Sequence, residues 1–189
     1  MQGKLKIASK AFVYPMPLVI VGTMVEGKPN WMTAAWVSQV NYEPAMIGAA
    51  ISKRHHTRKG IQAHQEFGLS IPGADLVAAT DHVGMVSGNT ADKSHVFEPF
   101  AGELRFAPMA KACPFTMECR VVRIVELPSN DFVIGEIIGA YSEERFLTDG
   151  MPDVRKMRPF TLTMPDNVYW GIGEPVAKAW TVGKTFKQA

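Results

Sequence analysis

A chain of 189 residues is long enough to bury a core unaided and short enough to be one domain, residues 1–189. With 47% hydrophobic and 20% charged residues, its composition is that of an ordinary globular protein and argues against disorder. A formal net charge of +2 is too small to make nucleic acid or a membrane surface the main partner, so any charge that matters is local.

At the N-terminus, Lys4, Lys6 and Lys10 precede the apolar stretch 11–25, in the order of a secretory leader. Pro15 and Pro17 interrupt that stretch and no A-x-A cleavage pattern follows it. No run of about 18 apolar residues occurs, so no spanning helix is expected. Residues 17–25 (PLVIVGTMV) read as a strand, and Glu26-Gly27-Lys28-Pro29-Asn30 as the turn after it. Residues 31–40 return, Asn41-Tyr42-Glu43-Pro44 turns again, and 45–51 follows as a strand. The first helix is predicted over 57–66 with Thr57 as its N-cap. A strand over 67–71 comes next, then a short helix over 74–83 closed by Gly84.

The second half is again β. Cys113 and Cys119 are the only cysteines. If the segment between them is extended, six steps of roughly 3.3 Å hold them too far apart for a disulfide. Free thiols point to a reducing compartment, and the expected location is the cytoplasm. Between 116 and 127 the apolar phase flips, from Met117, Cys119 and Val121 to Val122 and Ile124, which predicts a β-bulge. Residues 132–141 are apolar on both faces except for Glu136, so either a partner subunit or an overlying helix is expected to cover the outer face. Short strands, tight turns, few helices and no internal repeat predict a mainly β fold with short flanking helices, an antiparallel barrel. A parallel dinucleotide-binding sheet fits poorly, because the one G-x-G, at Gly171-Ile172-Gly173, has Pro175 where its helix would run.

Two segments carry chemistry. Ser52-Lys53-Arg54-His55-His56-Thr57-Arg58-Lys59 gathers cations and hydroxyls between a predicted strand and a predicted helix start, where unpaired N–H groups favour an anion. By itself, a solvated basic loop is the more ordinary reading. Asn30-Trp31-Met32-Thr33-Ala34-Ala35-Trp36 is the second. In a strand, Thr33 and Ala35 face one way while Ala34 and Trp36 face the other. Two alanines would let a flat ligand approach the backbone, and Trp36 would offer an aromatic wall. By itself, a packed core strand is again the more ordinary reading. Together the segments suit a flavin mononucleotide, FMN: a phosphate pocket beside a small-residue strand with an aromatic. No H-E-x-x-H or C-x-x-C is present and His55 and His56 would point apart, so no metal site is expected.

These segments, with Tyr14-Pro15-Met16-Pro17, Ser87-Gly88, Asp92-Lys93, Pro114, Glu118-Cys119, Gly135-Glu136, Tyr169-Trp170-Gly171-Ile172-Gly173-Glu174 and Gly183-Lys184, resemble the flavin reductase-like, FMN-binding split-barrel family, and within it the flavoredoxins and archaeal ferric reductases. The resemblance implies a six-stranded split barrel with flanking helices, non-covalent FMN, and a homodimer with the flavin in a groove at its interface. It implies that Asn30, Thr33, Ala34, Ala35 and Trp36 contact the ring and ribityl chain. By the same resemblance Ser52, Lys53 and Thr57 hold the phosphate, and Lys93 reaches the flavin. Two departures stand out. Ser94 follows the Asp-Lys pair where many relatives have an aromatic, and Asn130-Asp131 stands where many carry a histidine.

The implied activity is electron transfer through FMN, from NAD(P)H or a redox protein to an acceptor, and such chemistry asks for no catalytic acid or base from the chain. A non-enzymatic FMN-binding module for flavin storage or redox sensing is the alternative. A barrel for another phosphorylated ligand, such as pyridoxal phosphate, is a third, although no carbonyl-activating lysine stands out.

Overall fold

The computed structural model describes residues 3–7 and 12–186. Its strands in the first half are β1 (Met16–Pro17), β2 (Val19–Val25), β3 (Lys28–Ala34), β4 (Val37–Asn41), β5 (Met46–Ser52) and β6 (Glu66–Ile71), with helices α1 (Thr57–His64) and α2 (Val77–Met85). The second half holds β7 (Pro99–Phe100), β8 (Met109–Ala110), β9 (Phe115–Glu126), β10 (Asn130–Ser142), β11 (Leu147–Thr148), β12 (Met151–Pro152), helix α3 (Val154–Met157), β13 (Phe160–Thr163) and β14 (Val168–Gly171).

Seven strands form one sheet in the order β3-β2-β6-β9-β10-β5-β4, with every pairing antiparallel. Its two edge strands, β3 and β4, are consecutive in the chain and separated only by Ala35 and Trp36. So short a link spans at most about 11 Å, so the sheet must curl until its edges nearly meet. The Ala50 N–H, donating 2.9 Å to the Trp36 carbonyl, ties that link to β5. Counted as one interrupted run, β3 and β4 make this the expected six-stranded split barrel.

The barrel interior is filled by alternating residues of these strands, among them Val21, Met32, Ala34, Ala49, Ile51, Phe67, Leu69, Cys119 and Val133. A second core lies outside β2 and β3, where Ile20, Trp31, Val83, Phe97 and Cys113 pack together. β3 is therefore buried on both faces, with Met32 and Ala34 inside the barrel and Trp31 under α2. Trp31 meets Phe97 edge-on at 5.8 Å and donates to the Ser94 carbonyl at 3.2 Å. α1 packs against β2, β3 and β6, and α2 against β3. Neither helix takes up the outer side of β10, whose alternate residues Phe132, Ile134, Glu136 and Ile138 are only half-buried.

Several expectations are corrected in detail. The first turn is only Glu26-Gly27, both at positive φ, so β3 already starts at Lys28. The strand expected over 31–40 breaks at Ala35-Trp36, and the one over 17–25 is split because β1 pairs with β13 instead. α1 is N-capped by His56 without a side-chain bond, since the Thr57 hydroxyl is engaged elsewhere, and it stops at His64 with Gln65 left-handed. The second helix opens with a 3-10 turn over Ala74–Leu76 and runs through Gly84 to Met85, so Gly84 does not close it. The bulge is present: Ile134 pairs with Arg123 and Gly135 with Val121, leaving Val122 as the extra residue on β9. Both cysteines are free and buried. Among the described residues no helix is long and apolar enough to cross a membrane.

Candidate functional site

β5 delivers the chain at Ser52 into a tight turn that starts α1. His55 N–H donates to the Ser52 carbonyl at 3.0 Å, and Arg58 N–H donates to the His55 carbonyl at 3.2 Å. Opposite this turn lies the end of α2 with the loop after it. Between them is a cleft of about 220 Å³ lined by Thr33, Arg54, His55, Thr57, Gly84, Ser87 and Lys93, among others. It combines a helix start, a guanidinium, a buried lysine and hydroxyls, which is a setting for an anion.

Lys93 is the unusual member. It is only 5% exposed, and its Nζ donates to the carbonyls of Val83 at 2.7 Å and Val86 at 2.6 Å. Those bonds hold the frayed end of α2 in place and leave one ammonium proton uncommitted. Burial pulls the Lys93 pKa down to about 8. Burial first, and then the charge of Lys93, push His55 below its ordinary value.

The cleft continues along β3. A second cavity of about 220 Å³ shares Met32, Thr33 and His55 with it and adds Ala34, Ala35, Trp36, Ala50, Ser52 and Asn130. Small side chains keep this strip shallow and expose backbone. It opens in turn, across Ala35, Trp36 and Ala50, into an apolar groove of about 1060 Å³ that also touches Met16, Gly48 and Phe132. The result is one trough, cationic at the α1 end and apolar at the Trp36 end.

The expected site residues fall into three groups. Thr33, Ala34, Ala35, Trp36 and Ser52 line the trough, as do Thr57 and Lys93 at its cationic end. Ala34 also packs into the barrel core, whereas Trp36, 50% exposed, is turned outward by the strand break and does not share the face of Ala34. Thr33 is oriented by its hydroxyl, which donates to the Thr80 carbonyl. Asn30 sits one layer behind. It is buried, its Nδ2 donates to Thr57 Oγ1 at 2.7 Å, and its own side chain borders an adjoining polar cleft of about 290 Å³ that shares His56, Gly88 and Lys93 with the first. Lys53 stands apart from the trough: its Nζ lies 3.4 Å from Glu126 and 3.9 Å from Asp131. Asp131 also takes Arg58 Nε at 2.5 Å, so these two cations neutralise a buried carboxylate.

The structure adds residues that the sequence did not single out as site residues. His55 links the two cavities, Asn130 borders the second, and the Val83–Ser87 stretch walls the first. Of this stretch the sequence noted only Ser87, in the Ser87-Gly88 pair, toward the family resemblance, and the packing of α2 on β3 brings Val83–Val86 there. Asn130 was noted as a departure from relatives, and its register opposite Ser52 is what places it at the trough. Among the described residues no group of three His, Cys, Asp or Glu side chains is arranged to hold a metal.

The chain is similar to known proteins in sequence and in fold. The family model described as "Flavin reductase like domain" matches residues 11–155. The flavoredoxin of Methanosarcina acetivorans superposes with a TM-score of 0.95 at 48% identity, over 96% of this chain and 98% of that one. The flavoredoxin of Desulfovibrio vulgaris (Miyazaki F) superposes with a TM-score of 0.88 at 32% identity, over 96% of this chain and 100% of that one. An uncharacterized protein of Archaeoglobus fulgidus is 31% identical over 145 residues, 76% of this chain and 81% of that protein.

Proposed function

Since the chain belongs to the flavin reductase-like family, we propose that its trough holds FMN and that the protein passes electrons through it as an oxidoreductase of the flavoredoxin kind. The carrying observation is the continuity of the trough from the Arg54–Thr57 turn and Lys93 to Trp36. The donor set fits a flavin mononucleotide. A cleft of about 220 Å³ with cations and hydroxyls suits one phosphate group, and the alanine-floored strip suits a planar ring. Arg54, Thr57 and Lys93 would hold the phosphate. Thr33 and the backbone of Ala34-Ala35 would orient the ribityl chain and ring edge. Trp36 would cover one side of the ring.

Bound FMN supplies a centre that accepts and releases electrons, which no side chain here can do. The chain's own part is positional. His55, held below its ordinary pKa by burial and by Lys93, lines the phosphate end beside the cations Arg54 and Lys93. The apolar lining around Met16, Gly48 and Phe132 excludes water near Trp36. No acid–base pair is needed for electron transfer of this sort. The donor would be NAD(P)H or a reduced redox protein, and the working unit a homodimer in the cytoplasm.

The test is the visible spectrum of the purified protein, followed by anaerobic addition of NADH, NADPH or a reduced carrier protein. Flavin absorbance, release of FMN rather than FAD on denaturation, and bleaching by one of these donors are expected. No flavin retained through gel filtration after saturation with FMN would end this reading. Retained flavin that no donor bleaches would leave a binding module.

A further inference from the structure

The polar cleft of about 290 Å³ bordered by Asn30 begins where the cleft assigned to the phosphate ends, and His56, Gly88 and Lys93 line both. Their border is fastened by side chains. His56 Nδ1 donates to Asn89 Oδ1 at 2.9 Å, and Asn89 Nδ2 donates to the Arg54 carbonyl at 3.1 Å. A flavin dinucleotide carries a second phosphate and an adenosine beyond the first phosphate, and this adjoining cleft is polar space next to that first phosphate.

The two clefts differ in charge. The phosphate cleft has Arg54 and Lys93, and among the described residues no carboxylate lines it. The adjoining cleft has Lys28 and the shared Lys93, but also Glu26 and Asp92. Neither cation there is free for a second phosphate. Lys93 is bonded to the Val83 and Val86 carbonyls and serves the first phosphate. Lys28, the first residue of β3, holds Asp92 Oδ2 at 2.7 Å across the cleft. The other Asp92 oxygen accepts from the Ser94 N–H at 2.9 Å, so the carboxylate is fixed in direction. The hydrogen bond from Lys28, followed by those from Ser94, holds Asp92 well below the usual carboxylate range, so its charge is present at any working pH. A second phosphate would meet a closed ion pair and the Glu26 carboxylate.

We propose that the Lys28–Asp92 pair makes this site selective for the flavin mononucleotide over the dinucleotide, with Asp92 the specificity-determining residue. The selection is electrostatic: the first cleft answers one phosphate, and the second repels another. One unscreened pair of like charges at about 4 Å in water corresponds to roughly a fivefold change in affinity. This deepens the FMN reading above and rests on it.

The test measures dissociation constants of FMN and FAD by isothermal titration on flavin-stripped, full-length wild type, Asp92→Asn and Lys28→Met. Asp92→Asn keeps an acceptor for the Ser94 N–H and releases Lys28, so FAD should bind about fivefold tighter while FMN changes less than about twofold. Lys28→Met leaves Asp92 uncompensated and should weaken FAD by a similar factor, again with little effect on FMN. Both partners of the pair are more than half exposed, so about 0.5 M salt should shrink these differences. A wild type that binds FAD as tightly as FMN would overturn the proposal and leave the FMN reading standing. So would an FAD affinity that Asp92→Asn does not raise, equal shifts for both flavins, or a preference unchanged by salt, which would point to bulk instead. A wild type that binds neither flavin would end the FMN reading and this proposal with it.

Discussion

Lys93 shows how one side chain joins fold and site. Its two bonds to Val83 and Val86 carbonyls anchor the end of α2, while the side chain also lines the cationic cleft. With its pKa lowered to about 8, the charge is present at neutral pH and is lost as pH rises through that value. FMN affinity should therefore fall above about pH 8, whereas riboflavin, without a phosphate, should bind with little change there. Fluorescence titrations of both ligands from pH 6.5 to about 9.5 check this, and parallel curves would remove Lys93 from the phosphate. Thr57 and Lys53 make a paired test. Thr57→Ala removes a hydroxyl from the cleft and leaves the buried Asn30 amide unpaired, so it should weaken FMN by about 1–3 kcal/mol and also lower stability. Lys53→Ala should weaken FMN less, because Lys53 already answers Glu126 and Asp131. Isothermal titration on both variants decides it, and a larger loss for Lys53 would show that its side chain swings into the trough on binding.

At the scale of elements, a buried carboxylate holds the loop before β8 to the barrel. Glu118 on β9 is fully buried and accepts from the N–H groups of Glu103 at 2.9 Å and Leu104 at 2.7 Å, and from the Tyr141 hydroxyl at 2.5 Å. Acceptance by a carboxylate raises the Tyr141 pKa, because ionising the phenol would set two anions together. Gly102 and Gly139 pass so close that an added Cβ would lie 2.4 Å and 2.8 Å from Glu118 Oε1. Glu118→Ala strands two backbone donors and should cost about 2–5 kcal/mol, read as a drop in melting temperature of roughly 2–4 °C per kcal/mol. A drop below about 2 °C would mean that water reaches those groups. The loop after α2 is fitted as tightly: a Cβ on Gly88 would stand 2.4 Å from Asn30 Oδ1 and 3.0 Å from His56. Gly88→Ala should push Asn30 and His56 apart, destabilising by about 1–3 kcal/mol and loosening phosphate binding more than riboflavin binding. Equal weakening of both ligands would place the disturbance outside the phosphate cleft.

For the whole molecule, the outer side of the barrel decides the assembly. Trp36, Val40, Tyr42, Val122 and Trp180 are all exposed, and neither α1 nor α2 covers β10. Exposed apolar surface of this extent invites association. A homodimer is the expected state, and light scattering should give twice the chain mass of 20.8 kDa across micromolar concentrations. A value equal to the chain mass would count against it.

Composition, periodicity and turn residues were enough to indicate a mainly β fold, because alternation and Gly, Pro and Asn punctuation are local signals. The phase flip at Val121-Val122 is legible for the same reason: an extra residue on one strand reverses the pattern within that strand. The anion cleft was half-legible, as the Ser52–Lys59 run names its cations but not where each points. Only the tertiary structure turned Lys53 toward Asp131, brought Lys93 and the Val83–Ser87 stretch to the α1 turn, and broke the strand at Ala35-Trp36 so that Trp36 faces outward. Those outcomes depend on which distant groups compete for a side chain once it is buried, and on a sheet that must curl through two residues to close. Neither is encoded in any stretch short enough to read alone.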